Sequence, residues 1–327
     1  MNAKVDLEWQ EQALRLPANV LSMMEAGLDT GAMTLSVAHV QGLNAYVEQV
    51  RGLPKSPVEL TRWLSLPTRV VDSARLLTFL MGNPELNQNS MLAFFRQLKA
   101  HANGWEVLFG KNLQLATALM TVAAGINRTG SAILDACAHT KALGKRREAW
   151  DALQVDELLL SQADKEIVSS LPKQMNTLKR LVAEHARQVE RLRIEVAGFR
   201  DEAQRQLIPA TQRKLQAIDK GRQPTRRDIS PSTLALVRFQ VRISALSAML
   251  QNIEGQLREV LVASSHFHSA WQNLSTYIDV SEEKLQQITM NQQLARFAIY
   301  FARFLGLWST IEQSALEMKR KLSLLQQ

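Results

Sequence analysis

Residues 239–278 read FQVRISALSAMLQNIEGQLREVLVASSHFHSAWQNLSTYI, and apolar side chains recur in them at alternating steps of four and three. The members of this stripe are Phe239, Ile243, Leu246, Leu250, Ile253, Leu257, Val260, Phe267, Trp271, Leu274 and Ile278, with Ser264 filling the one gap. A second stripe with the same spacing comprises Leu294, Phe297, Phe301, Phe304, Trp308, Ile311, Ala315, Met318, Leu322 and Leu325. A 3.5-residue repeat held over this length is typical of long helices wound on partner helices. Because a helix rises about 1.5 Å per residue, the pattern predicts an elongated bundle with coiled-coil packing.

Prolines and turn residues divide the chain. Five of the nine prolines lie within the first 84 residues, which predicts shorter helices over residues 1–86, packed on a long-helix bundle formed by 87–327. Within that bundle, residues 87–142 are predicted to form one helix. No segment alternates with period two, so we expect an all-α protein with essentially no sheet.

The second half of the chain predicts a long antiparallel hairpin. Its arms are 165–220 and 231–280, and its tip lies near 221–230, where the turn sequence GRQPTRRD begins at Gly221. Pro209 is expected to bend the first arm. Asp279 and Glu282 have the spacing of a capping box, which predicts a final helix over 282–325.

The overall charge limits the classes of partner. The chain has 327 residues with a formal net charge of +8, which favours polyanions or anionic membranes. Its single cysteine, Cys137, excludes an internal disulfide and predicts a buried thiol. Acidic residues near the N-terminus argue against a Sec signal, and no run reaches the roughly 20 apolar residues of a constitutive span. We therefore expect a protein that is made in soluble form.

Catalytic and metal-binding motifs are not apparent. GWEVLFGK, residues 104–111, has one residue too many for a phosphate loop, and Asn112 stands where Ser or Thr would hold magnesium. His185 occupies a seam position of its own apolar stripe, so we expect a core histidine rather than a metal ligand. The sequence thus predicts no enzyme activity, no metal and no cofactor.

One uncharged segment is a candidate for entry into a membrane. Residues 112–127 read NLQLATALMTVAAGIN, and a further uncharged run covers 129–134. As a helix the first run spans about 24 Å, shorter than the roughly 30 Å of the hydrocarbon core. It is therefore either a helix buried in the bundle or a conditional membrane segment. The candidate membrane contacts are Leu113, Leu115, Leu119, Met120, Val122 and Ile126.

A second candidate is the basic turn, residues 205–227, which carries seven cations against one acidic residue, Asp219. A basic amphipathic turn can lie on anionic lipid. The candidate head-group contacts are Arg213, Lys214, Lys220, Arg222, Arg226 and Arg227, and the apolar candidates are Leu207, Ile208, Leu215 and Ile218. A solvated tip is the alternative. Without interleaved aromatic residues, nucleic acid is not an expected partner.

The C-terminal spacing resembles a known family. Trp271-x5-Tyr277-Ile278-x2-Ser281-x3-Leu285-x2-Ile288, followed by Leu294-x2-Phe297-x3-Phe301-x6-Trp308-x2-Ile311, resembles the last two helices of the alpha-xenorhabdolysin binary toxins, and more closely those of the smaller B subunit. Those proteins belong with the cytolysin A-like α-helical pore-forming toxins. The resemblance covers mainly 265–315, where Trp271, Tyr277, Phe297, Phe301 and Trp308 are the family-like packing residues.

The resemblance implies a rod of helices with head and tail regions. It further implies a partner A subunit, assembly into an oligomeric ring on a target-cell membrane, and helices that leave the soluble packing to line the pore. A cytotoxin of this kind would be secreted without a visible Sec signal. The alternative from another class is a non-lytic cytosolic helical scaffold. The uncharged run at 112–127 favours the toxin, because a solvated scaffold does not need it.

Overall fold

Long helices make up most of the computed structural model, which describes residues 3–30, 37–63, 80–144, 146–152, 157–221 and 231–324. In chain order the α-helices of these residues are α1 (Ala3–Thr30), α2 (Val37–Arg51), α3 (Pro57–Trp63), α4 (Gln88–Ala138), α5 (Gln162–Glu202), α6 (Ile208–Gly221), α7 (Pro231–Gln286), α8 (Asn291–Leu305) and α9 (Trp308–Leu324). A 3₁₀ helix covers Arg147–Ala152. Within the described ranges the extended pairing is confined to one isolated antiparallel bridge, Leu159 with Met290. The all-α prediction is confirmed.

Helix α4 is the single long helix predicted over 87–142. No proline interrupts it, and it ends at Ala138, four residues earlier than predicted. The chain then turns through Gly144, whose φ of 70° lies in the left-handed region that glycine adopts without strain. The Trp150 indole donates to the Gly144 carbonyl at 3.2 Å and so fixes the turn.

Polar pairs hold the first arm of the predicted hairpin antiparallel to α7. Asn176 pairs with Glu282, Lys179 with Asp279, Glu190 with His268, Arg200 with Glu254 and Asp219 with Gln240. The midpoint of every pair falls between residues 227 and 230, as an antiparallel hairpin folded near the predicted tip requires. The tip itself, beyond Gly221, lies outside the described residues.

The irregularity expected at Pro209 takes the form of a π-helical turn over Ala203–Leu207. Proline lacks an N–H and its ring crowds the carbonyl four residues earlier, so the regular α-helical hydrogen bonding is interrupted there. The Ile208 N–H bonds instead to the Ala203 carbonyl, five residues back. Pro17, expected to separate shorter helices, lies inside the 28-residue α1.

The predicted final helix over 282–325 is wrong. Helix α7 continues through Asp279 and Glu282 to Gln286, and both carboxylates pair with α5 instead of capping a helix. The break falls at 287–290, where the backbone crosses the extended segment near Leu158. The Gln293 Oε1 accepts from the N–H groups of Thr289 and Met290 and so caps α8.

The chain forms two compact units, each assembled from separate stretches. The first unit comprises Met1–Val37, Lys111–Arg193 and Val262–Gln327, and the second comprises Ala38–Gly110 and Ile194–Leu261. Helices α4, α5 and α7 contribute residues to both. Both units contain residues from before and after residue 86. The predicted division of the chain at that residue stays a prediction.

Candidate membrane-entering segments and the aromatic core

Segment 112–134 of α4, which is uncharged apart from Arg128, lies in the first unit with one face buried. Leu115, Leu119, Val122 and Ile126 are buried, whereas Leu113 and Met120 are half-buried. Among the described helices, α4 alone is long and apolar enough to cross a membrane by length and composition. About 44% of its most apolar stretch is buried, and a core helix of a soluble protein meets the same criteria.

Three other helices hold this segment. A Cβ at Gly125 would lie 3.0 Å from Leu181 Cδ1 on α5, and one at Gly130 would overlap the Leu305 side chain of α8. The two glycines therefore allow close helix approach. On α9, Glu312 Oε2 accepts a hydrogen bond of 3.3 Å from Asn127 Nδ2.

A buried amide opens the segment. Asn112 is 1% exposed, and neither its amide nitrogen nor its oxygen has a hydrogen-bond partner among the residues that the structure describes. Burying a polar group without a partner costs about 1–3 kcal/mol. Burial of Asn112, the first residue of the segment, therefore destabilises the packed conformation of segment 112–134.

The apolar candidates of the basic turn are packed in the second unit. Leu207 and Ile218 are fully buried, and Ile208 and Leu215 are half-buried. They belong to the buried face of the π turn and α6, together with Ala210 and Ala217. In this conformation two of the four apolar candidates, Leu207 and Ile218, are core residues.

Lys214, a member of the predicted head-group set, is buried in this conformation. Its side chain is 2% exposed, and its ammonium donates to the Glu85 carbonyl at 2.8 Å and to Ser90 Oγ at 3.1 Å. It also lies 5.2 Å from the centre of the Phe94 ring, and burial lowers its pKa. Helical spacing alone could not reveal this burial, because the residues that Lys214 contacts are at least 120 residues away in sequence.

The other basic candidates divide into two groups. Arg213 is 57% exposed and pairs loosely with Glu85 at 3.5 Å, and Lys220 is exposed. Arg222, Arg226 and Arg227 lie outside the described residues. Their role at a membrane therefore stays a prediction.

An aromatic core fills the first unit where α7, α8 and α9 meet. It contains all five family-like residues, each at most 2% exposed: Trp271, Tyr277, Phe297, Phe301 and Trp308. Ring centroids are 6.1 Å apart for Trp271 and Trp308, and 5.4 Å apart for Phe297 and Phe301. The five residues thus act as packing residues in this conformation.

Trp9 of α1 completes this core, and sequence analysis did not single it out. Its ring lies 5.8 Å from Tyr277 and 6.1 Å from Phe297, and its indole N–H donates to Ser281 Oγ at 2.9 Å. The signal available in the sequence was helical spacing. Trp9 is followed at steps of four, three and four by Ala13, Leu16 and Val20, which are all buried. Trp9 therefore anchors α1 to the C-terminal helices.

Two histidines whose pKa values are lowered by burial lie in the cores of the two units. In the first unit His185 packs against Trp271, as its seam position predicted, and burial lowers its pKa to about 3. In the second unit His101 stacks on Phe199 at 3.9 Å and its Nδ1 lies 2.8 Å from the Tyr46 hydroxyl. Burial lowers the His101 pKa to about 4.

Cys137 is fully buried, as predicted, and burial raises the pKa of its thiol to about 12. The thiol is therefore protonated at neutral pH, and thiolate nucleophiles are the reactive form. Cys137 is thus a packing residue of α4.

Comparisons with known proteins give structural likeness only. No protein-family model matches the chain, and no curated protein matches its sequence. The chain is similar to the solved structure of XaxA from Xenorhabdus nematophila, with 15% identity and a TM-score of 0.38, covering 90% of this chain and 98% of that one. It is similar to YaxA from Yersinia enterocolitica (14%, TM-score 0.49, 88% and 97%) and to a chain of the YaxAB pore complex (16%, TM-score 0.41, 88% and 96%).

Proposed function

We propose that this protein is a subunit of a multi-component α-pore-forming cytotoxin, which assembles with a partner subunit on a target-cell membrane and permeabilises it. The observation that carries the proposal is segment 112–134. It is uncharged apart from Arg128, it lies in the one described helix that meets the length and composition of a span, and it is packed against α5, α8 and α9. The C-terminal sequence resemblance adds independent support.

The mechanism is a change of packing partner. In the soluble form Leu115, Leu119 and Ile126 are shielded from water by neighbouring helices. Release of α4 from Leu181 and Leu305 would expose this apolar face. Lipid and neighbouring subunits would then bury it again, with every backbone group still bonded inside the helix.

The partner is a second toxin component. The C-terminal sequence spacing resembles the smaller B type more closely, so the proposed partner is an A-type subunit in an oligomeric ring. The chain would be secreted, remain soluble until it meets its target, and insert only at the target membrane.

Dye release from liposomes tests the activity. The protein is added alone, with the protein encoded by the adjacent gene, and with A-type or B-type components of known toxins. Release that requires an A-type component supports the B assignment. Release that requires a B-type component assigns this chain to the A type instead. A chain that never releases dye beside an active partner favours the scaffold alternative.

A reversible cross-link tests whether segment 112–134 moves. Asn127 and Glu312 face each other across α4 and α9, so both are replaced by cysteine in a Cys137→Ala background and joined with a disulfide-containing bismaleimide. The cross-linked protein should fold normally but release no dye, and reduction should restore release. Equal release in both states would exclude this segment as the moving part and leave the basic turn.

The matched control is a cross-link that spans no interface. Glu184 and Arg187 are three residues apart on α5 and already contact each other at 2.7 Å. Cysteines at these positions accept the same reagent in the same background. This variant should release dye in both redox states, because the link leaves α4 free to move.

A further inference from the structure

Helix α6 of the second unit carries a lysine in the middle of its buried face. The buried positions of α6 and of the residue before it recur at steps of three and four: Leu207, Ala210, Thr211, Lys214, Ala217 and Ile218. The Thr211 hydroxyl is satisfied locally, because it donates to the Ile208 carbonyl at 2.7 Å. By periodicity alone an aliphatic residue would suit the central position. The lysine there therefore does something that apolar packing does not.

The ammonium of Lys214 closes a triangle of hydrogen bonds with the turn at the start of α4, residues 83–90. It donates to the Glu85 carbonyl at 2.8 Å and to Ser90 Oγ at 3.1 Å. Ser90 Oγ itself donates to the Glu85 carbonyl at 3.1 Å. Within the described part of the chain, every polar contact of this ammonium is with Glu85 or Ser90. Because an unpaired buried charge is strongly disfavoured, α6 stays docked only while these acceptors are in place.

The 83–90 turn holds the acceptors in position through its own hydrogen bonds. The Asn83 side chain accepts from the Glu85 N–H at 3.0 Å, and the Asn83 carbonyl accepts from the Asn87 N–H at 2.9 Å. The Asn87 side chain in turn accepts from the Ser90 N–H at 2.9 Å. The acceptor pair for Lys214 is therefore built by residues that are local to the turn.

The backbone before α6 supplies a hinge. The π turn over Ala203–Leu207 joins α5 to α6, and the Ile208 N–H bonds five residues back to the Ala203 carbonyl. Pro209 follows and has no N–H to donate. Helices change direction at π turns and prolines, because the regular hydrogen bonding is already interrupted there. Helix α6 can therefore pivot at this turn while α5 stays regular.

We propose that α6 is a latched arm, which pivots at the π turn and is fastened by the ammonium of Lys214 on the acceptor pair of the 83–90 turn. Closure buries Leu207 and Ile218, and opening exposes them. A lysine at the centre of the face returns its charge to water when the arm opens, so the opened arm loses less than an all-apolar face would. The latch thus makes opening reversible. The proposal does not depend on pore formation.

Native-state hydrogen exchange at low guanidinium concentrations tests the latch. In the wild type, the amides of α6 after Pro209 should share one opening reaction, with a smaller denaturant slope than the amides of Phe95 and Leu98 in α4. Ser90→Ala removes one acceptor and should speed exchange in α6 about tenfold, although residue 90 lies outside that helix. Lys214→Met should speed it at least as much. The double variant should match Lys214→Met, because Ser90 acts on α6 through that lysine.

Lys220→Met and Thr61→Val are the matched controls. Lys220 is an exposed lysine of α6, and its loss changes net charge as Lys214→Met does. Thr61 is exposed on α3 in the same unit, and its hydroxyl donates to the Pro57 carbonyl of its own helix. Neither change should alter the exchange of the α6 amides.

A reversible cross-link holds the latch closed and carries the test even if Lys214→Met fails to fold. Arg213 Nε lies 3.5 Å from Glu85 Oε1, so cysteines at these two positions, in a Cys137→Ala background, can be joined by a disulfide-containing bismaleimide. The joined protein should exchange its α6 amides as slowly as those of α4, and reduction should restore the faster opening.

Two results would overturn the proposal. Wild-type α6 amides with the same denaturant slope as those of α4 would show that the helix leaves only when the whole unit unfolds. Exchange in α6 that neither Ser90→Ala nor the cross-link alters would show that the contact with the 83–90 turn does not control the arm.

Discussion

His185 packs its imidazole against the indole of Trp271, with 4.4 Å between the ring centroids. Burial in this core disfavours the protonated, charged form of the imidazole. Its pKa is lowered to about 3, and that of His101 in the second unit to about 4. The unfolded chain therefore binds protons, from about pH 6.5 downward, that the folded chain does not. Each histidine contributes stability that is fully present above pH 6.5 and is lost as the pH falls toward its folded pKa.

The first prediction follows from this loss of stability at low pH. Guanidinium unfolding at a series of pH values from 7 to 4.5 should show the free energy of unfolding falling, below about pH 6.5, by about 1.4 kcal/mol per pH unit for each of His185 and His101. His185→Phe should remove one of these contributions, whereas His266→Phe, at an exposed position, should keep both. A pH slope unaffected by His185→Phe would contradict the prediction.

The second prediction compares two adjacent cations. Lys214→Met should lower the free energy of unfolding by about 1–3 kcal/mol, because it removes charged hydrogen bonds to Glu85 and Ser90 inside the second unit. Arg213→Met removes only an exposed ion pair and should cost no more than about 1 kcal/mol. Denaturant titration of both variants measures the difference. Equal losses would place Lys214 at the surface.

These cases show which features the sequence could predict. The long α4 and the antiparallel pairing followed from proline spacing and apolar periodicity, which are local signals. The burial of Lys214 and the docking of Trp9 depend on partners more than 120 residues away, and a periodic pattern does not encode those. The capping-box spacing at Asp279 and Glu282 misled for the same reason, since α5 supplies partners that let the helix continue.

The third prediction concerns close packing at Gly130. Gly130→Ala should destabilise the protein by about 1–3 kcal/mol, because the added Cβ overlaps the buried Leu305 side chain. Gly110 on the same helix has no atom near the position of a Cβ. Gly110→Ala should therefore stabilise by about 0.5–1 kcal/mol. Thermal unfolding of the pair should give shifts of opposite sign.

The fourth prediction addresses the basic turn. If Arg226 and Arg227 meet anionic lipid, sedimentation with acidic vesicles should weaken with salt, because the Debye length falls from about 10 Å at 0.1 M to about 3 Å at 1 M. Reversing both to Glu should lower the affinity more than about tenfold. The control reverses Arg187 and Arg191, two exposed arginines of α5, and so changes net charge equally. Binding that responds alike to both double variants would assign the turn to solvent.

The last prediction links stability to release of α4. Asn112 is buried without a protein partner, so Asn112→Leu should raise the free energy of unfolding by about 1–3 kcal/mol. Because the gain belongs to the packed conformation, departure of segment 112–134 becomes harder, and dye release with the partner should slow. Gln114→Leu, at an exposed neighbouring position, should change neither quantity. A stabilised Asn112→Leu protein that releases dye at the wild-type rate would show that α4 stays packed during pore formation.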